Sequence, residues 1–348
     1  MRILIVSDAW FPQTNGVVNT LAQTAACLRR FGHDVQIAHP GDHRTIACPT
    51  YAEIRLAIFP RRKLARQIAE FQPQALHIAT EGPLGLAARR HCIRNGLRFT
   101  TSYHTQFPQY LRSRFPLPPA ASYAALRWFH GAAHGCMVST QSVQTELAAR
   151  GFTNVVRWRR GVDTRLFRPR DKAFLDLPRP IAAYVGRVAV EKNIDDFLRM
   201  PWRGTKIIIG DGPERPRLQA AYPDAIYLGF RFGEDLAAHI AAADVMVFPS
   251  RTDTFGLVNL EAMACGVPVA AYPVTGPIDV IRDGVTGALD WDLAQAAARA
   301  LELDPSACRA YALQSSWEDC TQEFESNLVA CRPNGLAPTP AVARLIPR

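Results

Sequence analysis

Two cations stand close together in Gly186-Arg187-Val188-Ala189-Val190-Glu191-Lys192, directly after an apolar run, Ile181 to Val185, that reads as a strand. A guanidinium grips phosphate oxygens as a fork and an ammonium meets them as a compact charge. Arg187 and Lys192 therefore suit a diphosphate, though two solvated surface charges would look the same. Lys192 is one of four lysines, with Lys63, Lys172 and Lys206, in a chain that otherwise uses arginine. Two carboxylates follow in the stretch Pro249 to Val269: Asp253 in a loop and Glu261 about two turns into a helix, with Gly256 between them. Carboxylates accept strongly from sugar and ribose hydroxyls, and Gly256 lets backbone amides at a helix start face a ligand. Asp253 could equally be an N-cap, and Glu261 a surface carboxylate.

Two smaller signals lie upstream. Asn15-Gly16-Val17-Val18 joins a strand to a helix, where glycine admits an anion close to backbone amides or simply serves a turn. It does not form G-x-G-x-x-G, the dinucleotide fingerprint. In Tyr103-His104-Thr105-Gln106, His104 follows a strand and could donate to a substrate hydroxyl, or be a polar residue with a local partner.

These residues need a scaffold that brings strand ends together. Ile3 to Val6, Val35 to Ala38, Ala75 to Ala79, Phe99 to Tyr103 and Cys136 to Ser139 read as buried strands separated by helical stretches. After Arg168-Pro169 the pattern restarts with Ile181 to Val185, Lys206 to Gly210, Val245 to Pro249 and Val267 to Ala271. Strands alternating with helices mean parallel, helix-covered sheets, and 348 residues suit two such domains. The expected fold class is α/β, two Rossmann-like doubly wound parallel-sheet domains facing across a cleft. The expected boundaries are residues 1–168, a proline-marked linker at 169–180, a second domain at 181–305, a helix at 306–330 and a loose tail at 331–348.

Composition narrows the class. No apolar run reaches a membrane-spanning length, and the N-terminus enters a strand without a signal-like segment, so a cytoplasmic protein is expected. Eight scattered cysteines without a C-x-x-C pair argue against a zinc or disulfide framework. Of 40 basic and 31 acidic residues, positions 1–170 hold 23 and 8, leaving 17 and 23. The first part therefore carries +15 and the second −6, a field that suits an anionic surface or substrate.

In this order and spacing, Gly16, His104, Arg160-Gly161-Val162-Asp163, Gly186-Arg187 with Glu191-Lys192, Gly210-Asp211-Gly212-Pro213 and above all Pro249 to Val269 resemble glycosyltransferase family 4, whose members have the GT-B fold and retain anomeric configuration. The resemblance covers residues 1 to about 330. It implies that Gly16, Arg187 and Lys192 bind the diphosphate of a UDP- or GDP-sugar and that Glu261 holds the ribose hydroxyls. The backbone of Thr254, Phe255, Gly256, Leu257 and Val258 would line the sugar and β-phosphate, and His104 would bond a sugar hydroxyl. Asp253 stands where the family has its first glutamate, a departure that bears on which sugar hydroxyls are read. The acceptor would attack on the face from which the diphosphate leaves, with no protein nucleophile, no cofactor and no metal; no Asp-x-Asp motif is present.

For the acceptor, Arg55, Arg61, Arg62, Lys63 and Arg66 are interleaved with Leu56, Ile58, Phe59, Leu64 and Ile68, and Arg112 and Arg114 lie beside Leu111 and Phe115. Basic and apolar groups so mixed suit an anionic bilayer. The motifs resemble the glycolipid hexosyl, mannosyl and sulfoquinovosyl transferase branch, so the expectation is transfer to a diacylglycerol-type lipid, peripherally on the inner face of the cytoplasmic membrane, without a nucleic-acid partner. The alternatives are a GDP-mannose-type mannosyltransferase acting on a polysaccharide or polyprenyl-linked acceptor, a nucleotide-sugar 2-epimerase, and a non-catalytic binding protein.

Overall fold

The computed structural model describes residues 1–13, 15–48, 51–104 and 119–332. Thr105 to Tyr110, Arg112, Arg114 and the tail from residue 333 lie outside the described residues.

The first domain runs β1 (Arg2–Val6), α1 (Gly16–Arg30), β2 (Asp34–Ala38), β3 (Thr45–Cys48), β4 (Tyr51–Ala57), α2 (Arg61–Phe71), β5 (Ala75–Ile78), α3 (Pro83–Arg94), β6 (Thr100–Tyr103), α4 (Pro119–His130), β7 (Gly135–Val138), α5 (Gln141–Ala149) and β8 (Val155–Arg157). Six strands form a parallel sheet in the order β2-β1-β5-β6-β7-β8, and β3 and β4 form a separate antiparallel hairpin. Ile3-Leu4-Ile5-Val6 is wholly buried because successive side chains alternate between two covered faces. Leu4 and Val6 meet Leu64 and Ile68 of α2 and Leu84 of α3, while Ile3 and Ile5 meet Leu21 and Leu28 of α1.

The second domain runs β9 (Ile181–Val185), α6 (Ile194–Arg199), β10 (Thr205–Ile209), α7 (Arg215–Ala221), β11 (Ile226–Gly229), α8 (Gly233–Ala242), β12 (Val245–Phe248), α9 (Leu257–Ala264), β13 (Val269–Ala271), α10 (Pro277–Val280), β14 (Gly287–Leu289), α11 (Leu293–Leu301) and α12 (Pro305–Ala312). Its parallel sheet has the order β11-β10-β9-β12-β13-β14. The chain winds one way from β9 to β11 and the other way from β12, so a crevice opens between the carboxyl ends of β9 and β12. The residues there are Gly186-Arg187 and the loop from Pro249.

The expected single helix over 306–330 is corrected to two. Leu313 to Ser316 interrupts it, and Ser316 caps a new helix, α13 (Trp317–Asn327), by accepting from Asp319 N at 3.0 Å. Arg309 of α12 binds the carbonyls of Phe167 and Ala264 at 2.7 and 2.8 Å, within the second domain. In contrast, α13 crosses back to the first domain, where Trp317, Cys320 and Phe324 join the cluster of Ile3, Ile5 and Trp158. Cys331 follows the same path, its amide donating to Gln74 O at 2.8 Å. Five strands were missed in the sequence, β3, β4, β8, β11 and β14; all but the seven-residue β4 have three or four residues, too few to show a periodicity.

Candidate functional site

At the β9–β12 crevice, Gly210 lies so close to Gly186 that a Cβ would sit 1.9 Å from the Gly186 carbonyl oxygen. Only glycine allows these loops to pack and to direct the following residues into the cleft. Tyr184 anchors the turn, donating from its hydroxyl to Arg187 O at 2.7 Å. Beyond it, Arg187 pairs with the buried Glu191 on the next turn, and Lys192 donates to both oxygens of Asp253 at 2.7 and 2.8 Å. Burial alone would raise the Asp253 carboxyl, but the Lys192 ammonium, with Arg187 further off, overrides it and holds the group below its ordinary value. Lys192 and Asp253 thus share one spot, with Arg187 near enough to act on the same carboxylate, a pairing of cation and carboxylate that the sequence had not suggested.

Asp253 does not act as an N-cap. Gly256 occupies that position of α9 at φ 79, and no side chain caps the helix. A Cβ on Gly256 would meet Asn259 Nδ2 at 2.6 Å and Phe248 Cζ at 2.9 Å, so backbone and packing both demand glycine. No side chain among the described residues caps the first turn of α9; Asn259 N donates to Gly256 O at 2.9 Å, which leaves the amides of Leu257 and Val258 as the ones an anion could use. Two turns in, Glu261 is half-buried, and its carboxylate makes no hydrogen bond or ion pair among the described residues. Burial pushes it up to about 7.

Gly16, the first residue of α1, lies across the cleft from α9, where a Cβ would be 3.6 Å from Leu257 Cδ1, an ordinary contact. Neither its backbone nor its neighbours require glycine. The Asn15 side chain already accepts from Val17 N and Val18 N, both at 3.0 Å, so those two amides are taken and Gly16 N is the one that a phosphate could use.

Thr254 joins the domains. Its carbonyl accepts from Ser139 Oγ and Thr140 Oγ1 at 3.1 and 3.2 Å, and its hydroxyl donates to His104 O at 2.7 Å. His104 is thereby held at the donor loop. Its Nδ1 is 3.4 Å from Arg160 Nη2, and its Nε2 is buried with no partner among the described residues. Burial first, then Arg160, holds the imidazole well below its ordinary value, hence neutral. A second seam lies alongside: Asp279 of α10 accepts from Ser142 N at 3.0 Å and from Ser142 Oγ, giving α5 a carboxylate from the opposite domain. Phe255 and Val258 turn their side chains into the second domain's core, and Leu257 joins the first domain's cluster, so only the backbone of this stretch can line a ligand.

Sequence reasoning missed Ser139, Thr140, Ser142 and Asp279, and named Arg160 only within a motif, without a role. Ser139-Thr140 immediately follows β7, a strand end, and could have been found by that rule; Asp279 carries no sequence signal.

On the first domain's surface, Arg61, Arg62, Lys63 and Arg66 of α2 are exposed, while Leu64 and Ile68 point into the core. The apolar half of the expected patch is therefore supplied by Phe59, 93% exposed, and not by those two. Arg55 is tied to Thr45 on the β3–β4 hairpin by bonds of 3.1 Å, and Lys63 to the Asp42 carbonyl. No helix among the described residues is long and apolar enough to cross a membrane.

Two facing doubly wound domains with a cationic pair, an open helix terminus and a buried carboxylate at one switch point define a GT-B nucleotide-sugar glycosyltransferase, and the relatives agree. Residues 14–166 match the Glycosyltransferase Family 4 model and residues 179–303 the Glycosyl transferases group 1 model. A GDP-mannose-dependent alpha-mannosyltransferase of Mycobacterium tuberculosis is 31% identical over 83% of each chain. Sulfoquinovosyl transferase SQD2 of Arabidopsis thaliana is 29% identical over 82% of this chain and 62% of its own. The crystal structure of Anabaena HepE in complex with UDP superposes with a TM-score of 0.71 at 17% identity, over 94% of this chain and 99% of that one, a likeness of fold. The chain belongs to glycosyltransferase family 4. It is a glycosyltransferase that uses a nucleotide sugar.

Proposed function

We propose that the protein transfers a hexose, with retention, from a nucleotide-diphosphate sugar to a membrane lipid, with GDP-mannose the first donor to try and a diacylglycerol-type lipid the first acceptor. The observation that carries the reading is the single spot where Lys192, Asp253 and the uncapped start of α9 meet, tied to His104 through Thr254. Lys192, Arg187 and the amides of Gly16, Leu257 and Val258 take the diphosphate, Glu261 the ribose, and Asp253 and His104 the sugar hydroxyls. The bond from the anomeric carbon to the phosphate oxygen breaks as the acceptor oxygen bonds to that carbon on the same face. The acceptor's proton passes to the departing phosphate oxygen, so no side-chain base is needed. Cations and helix amides supply the charge stabilisation, and the reaction proceeds without a metal. Activity should survive excess EDTA; loss restored by magnesium would overturn that part.

The donor choice rests on the relative named for GDP-mannose. The lipid choice rests on the first domain's basic face and the SQD2 relative. Phe59 stands out at φ 49, and Arg61 and Arg94 both lower Arg90's affinity for its proton, the mark of a concentrated positive field. Such a face supports a peripheral position on the cytoplasmic side of an anionic membrane. A polysaccharide or polyprenyl-linked acceptor is the second reading, since a GDP-mannose donor does not of itself require a lipid acceptor. Incubation with UDP- and GDP-sugars and anionic vesicles, with and without polyprenyl phosphate-linked sugars, distinguishes them by which fraction gains the hexose.

A further inference from the structure

His104 is built into a wall that reaches across the molecule. Trp158, wholly buried, packs its ring at a 50° tilt against Phe324 of α13, the centroids 4.7 Å apart, and lies 5.7 Å from the His104 ring. The helix returns close enough that a Cβ on Gly161 would be 2.6 Å from Trp317 N. Cys320 and Glu323 bond Arg159 O and Arg159 N at 2.9 and 2.6 Å. Arg160 is fixed on this support, its guanidinium 4.1 Å over the Trp158 ring, with Nη1 donating to the carbonyls of Trp158 and Arg159. It is 5% exposed and makes no ion pair among the described residues, an unusual state for a side chain that is always charged.

A guanidinium has donors and no acceptor. We infer that Arg160 is a positioning residue for His104: lying 3.4 Å from Nδ1, it makes that nitrogen an acceptor, so the ring's hydrogen sits on Nε2 and His104 meets the substrate as a neutral donor, never as a base. The inference rests on the reading of His104 as a sugar-contacting residue and deepens it. Nε2 is the atom left buried without a partner among the described residues, and a sugar hydroxyl oxygen would accept from it. The assignment also fits retention, in which the leaving phosphate takes the acceptor's proton and a histidine base would compete with it.

The other titratable groups acting on His104 are His77 and His130. His77 is held between Thr100 Oγ1 and Ser102 Oγ, and burial, then Arg160, lowers it to about 3, so it stays neutral. Burial works against a charge on His130 too, yet Cys136 and Glu81, whose Oε1 is 3.1 Å from Nε2, hold it up at about 10. Neither changes charge between pH 5 and 8, and the burial that does most to keep His104 neutral does not depend on Arg160, so Arg160 bears on which nitrogen carries the hydrogen.

The test is long-range ¹⁵N–¹H NMR of histidine-labelled protein, with His104 assigned by the signal lost in His104→Asn. The expected result for the wild type is an Nε2-protonated ring whose shifts do not move between pH 8 and 5.5. In Arg160→Gln, His104 should stay neutral but gain Nδ1-protonated population, and kcat/KM should fall as Nε2 ceases to donate. Arg160→Lys, keeping a donor beside Nδ1, should restore the Nε2-protonated ring and kcat/KM. An Nδ1-protonated or titrating His104 in the wild type overturns the inference, and that spectrum decides even if the variants do not fold. If His104 is Nε2-protonated yet His104→Ala turns over like wild type, the sugar-contact reading falls while the tautomer assignment stands.

Discussion

Lys192 does two things at once in the free protein: it supplies the site's compact positive charge and it neutralises Asp253, each side chain less than a fifth exposed. Lys192→Met should therefore lower kcat about 10²–10³-fold and also reduce stability by up to about 3 kcal/mol, because it strands a carboxylate. Adding Asp253→Asn should recover most of the stability and none of the rate, readable by denaturant melts beside kinetics. Glu261 titrates in the opposite sense. Its folded value of about 7 lies above the ordinary 4.5, so the folded state binds the proton more tightly and stability falls as pH rises from 4.5 through 7. Glu261→Gln should melt higher than wild type at pH 8, by about 1–3 kcal/mol, match it below pH 4.5, and raise donor KM. These residues were legible because their types and spacing are local. Their partners were not, since Lys192 meets Asp253 61 positions away, Arg160 meets His104 56 away and Asp279 meets Ser142 137 away.

The two helix starts that face the cleft differ in a way that separates fold from function. Gly256 is demanded by its φ and by Asn259 and Phe248, so Gly256→Ala should cost about 1–3 kcal/mol with or without donor. Gly16 is demanded by nothing in the protein, so Gly16→Ala should leave the melting temperature within about 0.5 kcal/mol of wild type and raise donor KM. An unchanged KM would remove Gly16 from the phosphate site. The long buried strands were plain in the sequence as apolar runs. The break at Leu313 to Ser316 was missed because the apolar pattern resumes on its far side; Ser316 with Asp319 three residues on was the available sign.

Across the whole molecule, the contacts over the cleft combine polar bonds at Thr254 and Asp279 with the packing of Leu257 on the first domain's cluster. Asp279 gives α5 a carboxylate at its amino end, where the helix field favours one. Asp279→Ala should weaken closure by about 1 kcal/mol, seen as a larger radius of gyration in solution scattering and a raised donor KM, with the chemical step unchanged in single turnover. The division of charge, +15 over residues 1–170 and −6 over 171–348, was readable from counting, and it is the reason the proposal puts the lipid-facing role on the first domain. Substituting Arg61, Arg62 and Arg66 together by glutamine should weaken binding to anionic vesicles without affecting turnover of a soluble acceptor analogue. Where α13 packs could not be read, because its apolar face would suit either sheet.

The most direct test of donor, acceptor and stereochemistry together is incubation of the pure protein with GDP-mannose and UDP-hexoses in the presence of anionic diacylglycerol vesicles. Mass spectrometry of the lipid fraction and NMR of the new glycosidic linkage give the readout. A hexosyl lipid whose anomeric configuration matches that of the donor is expected. An inverted linkage, or donor consumed to an epimer with no acceptor glycosylated, would contradict it.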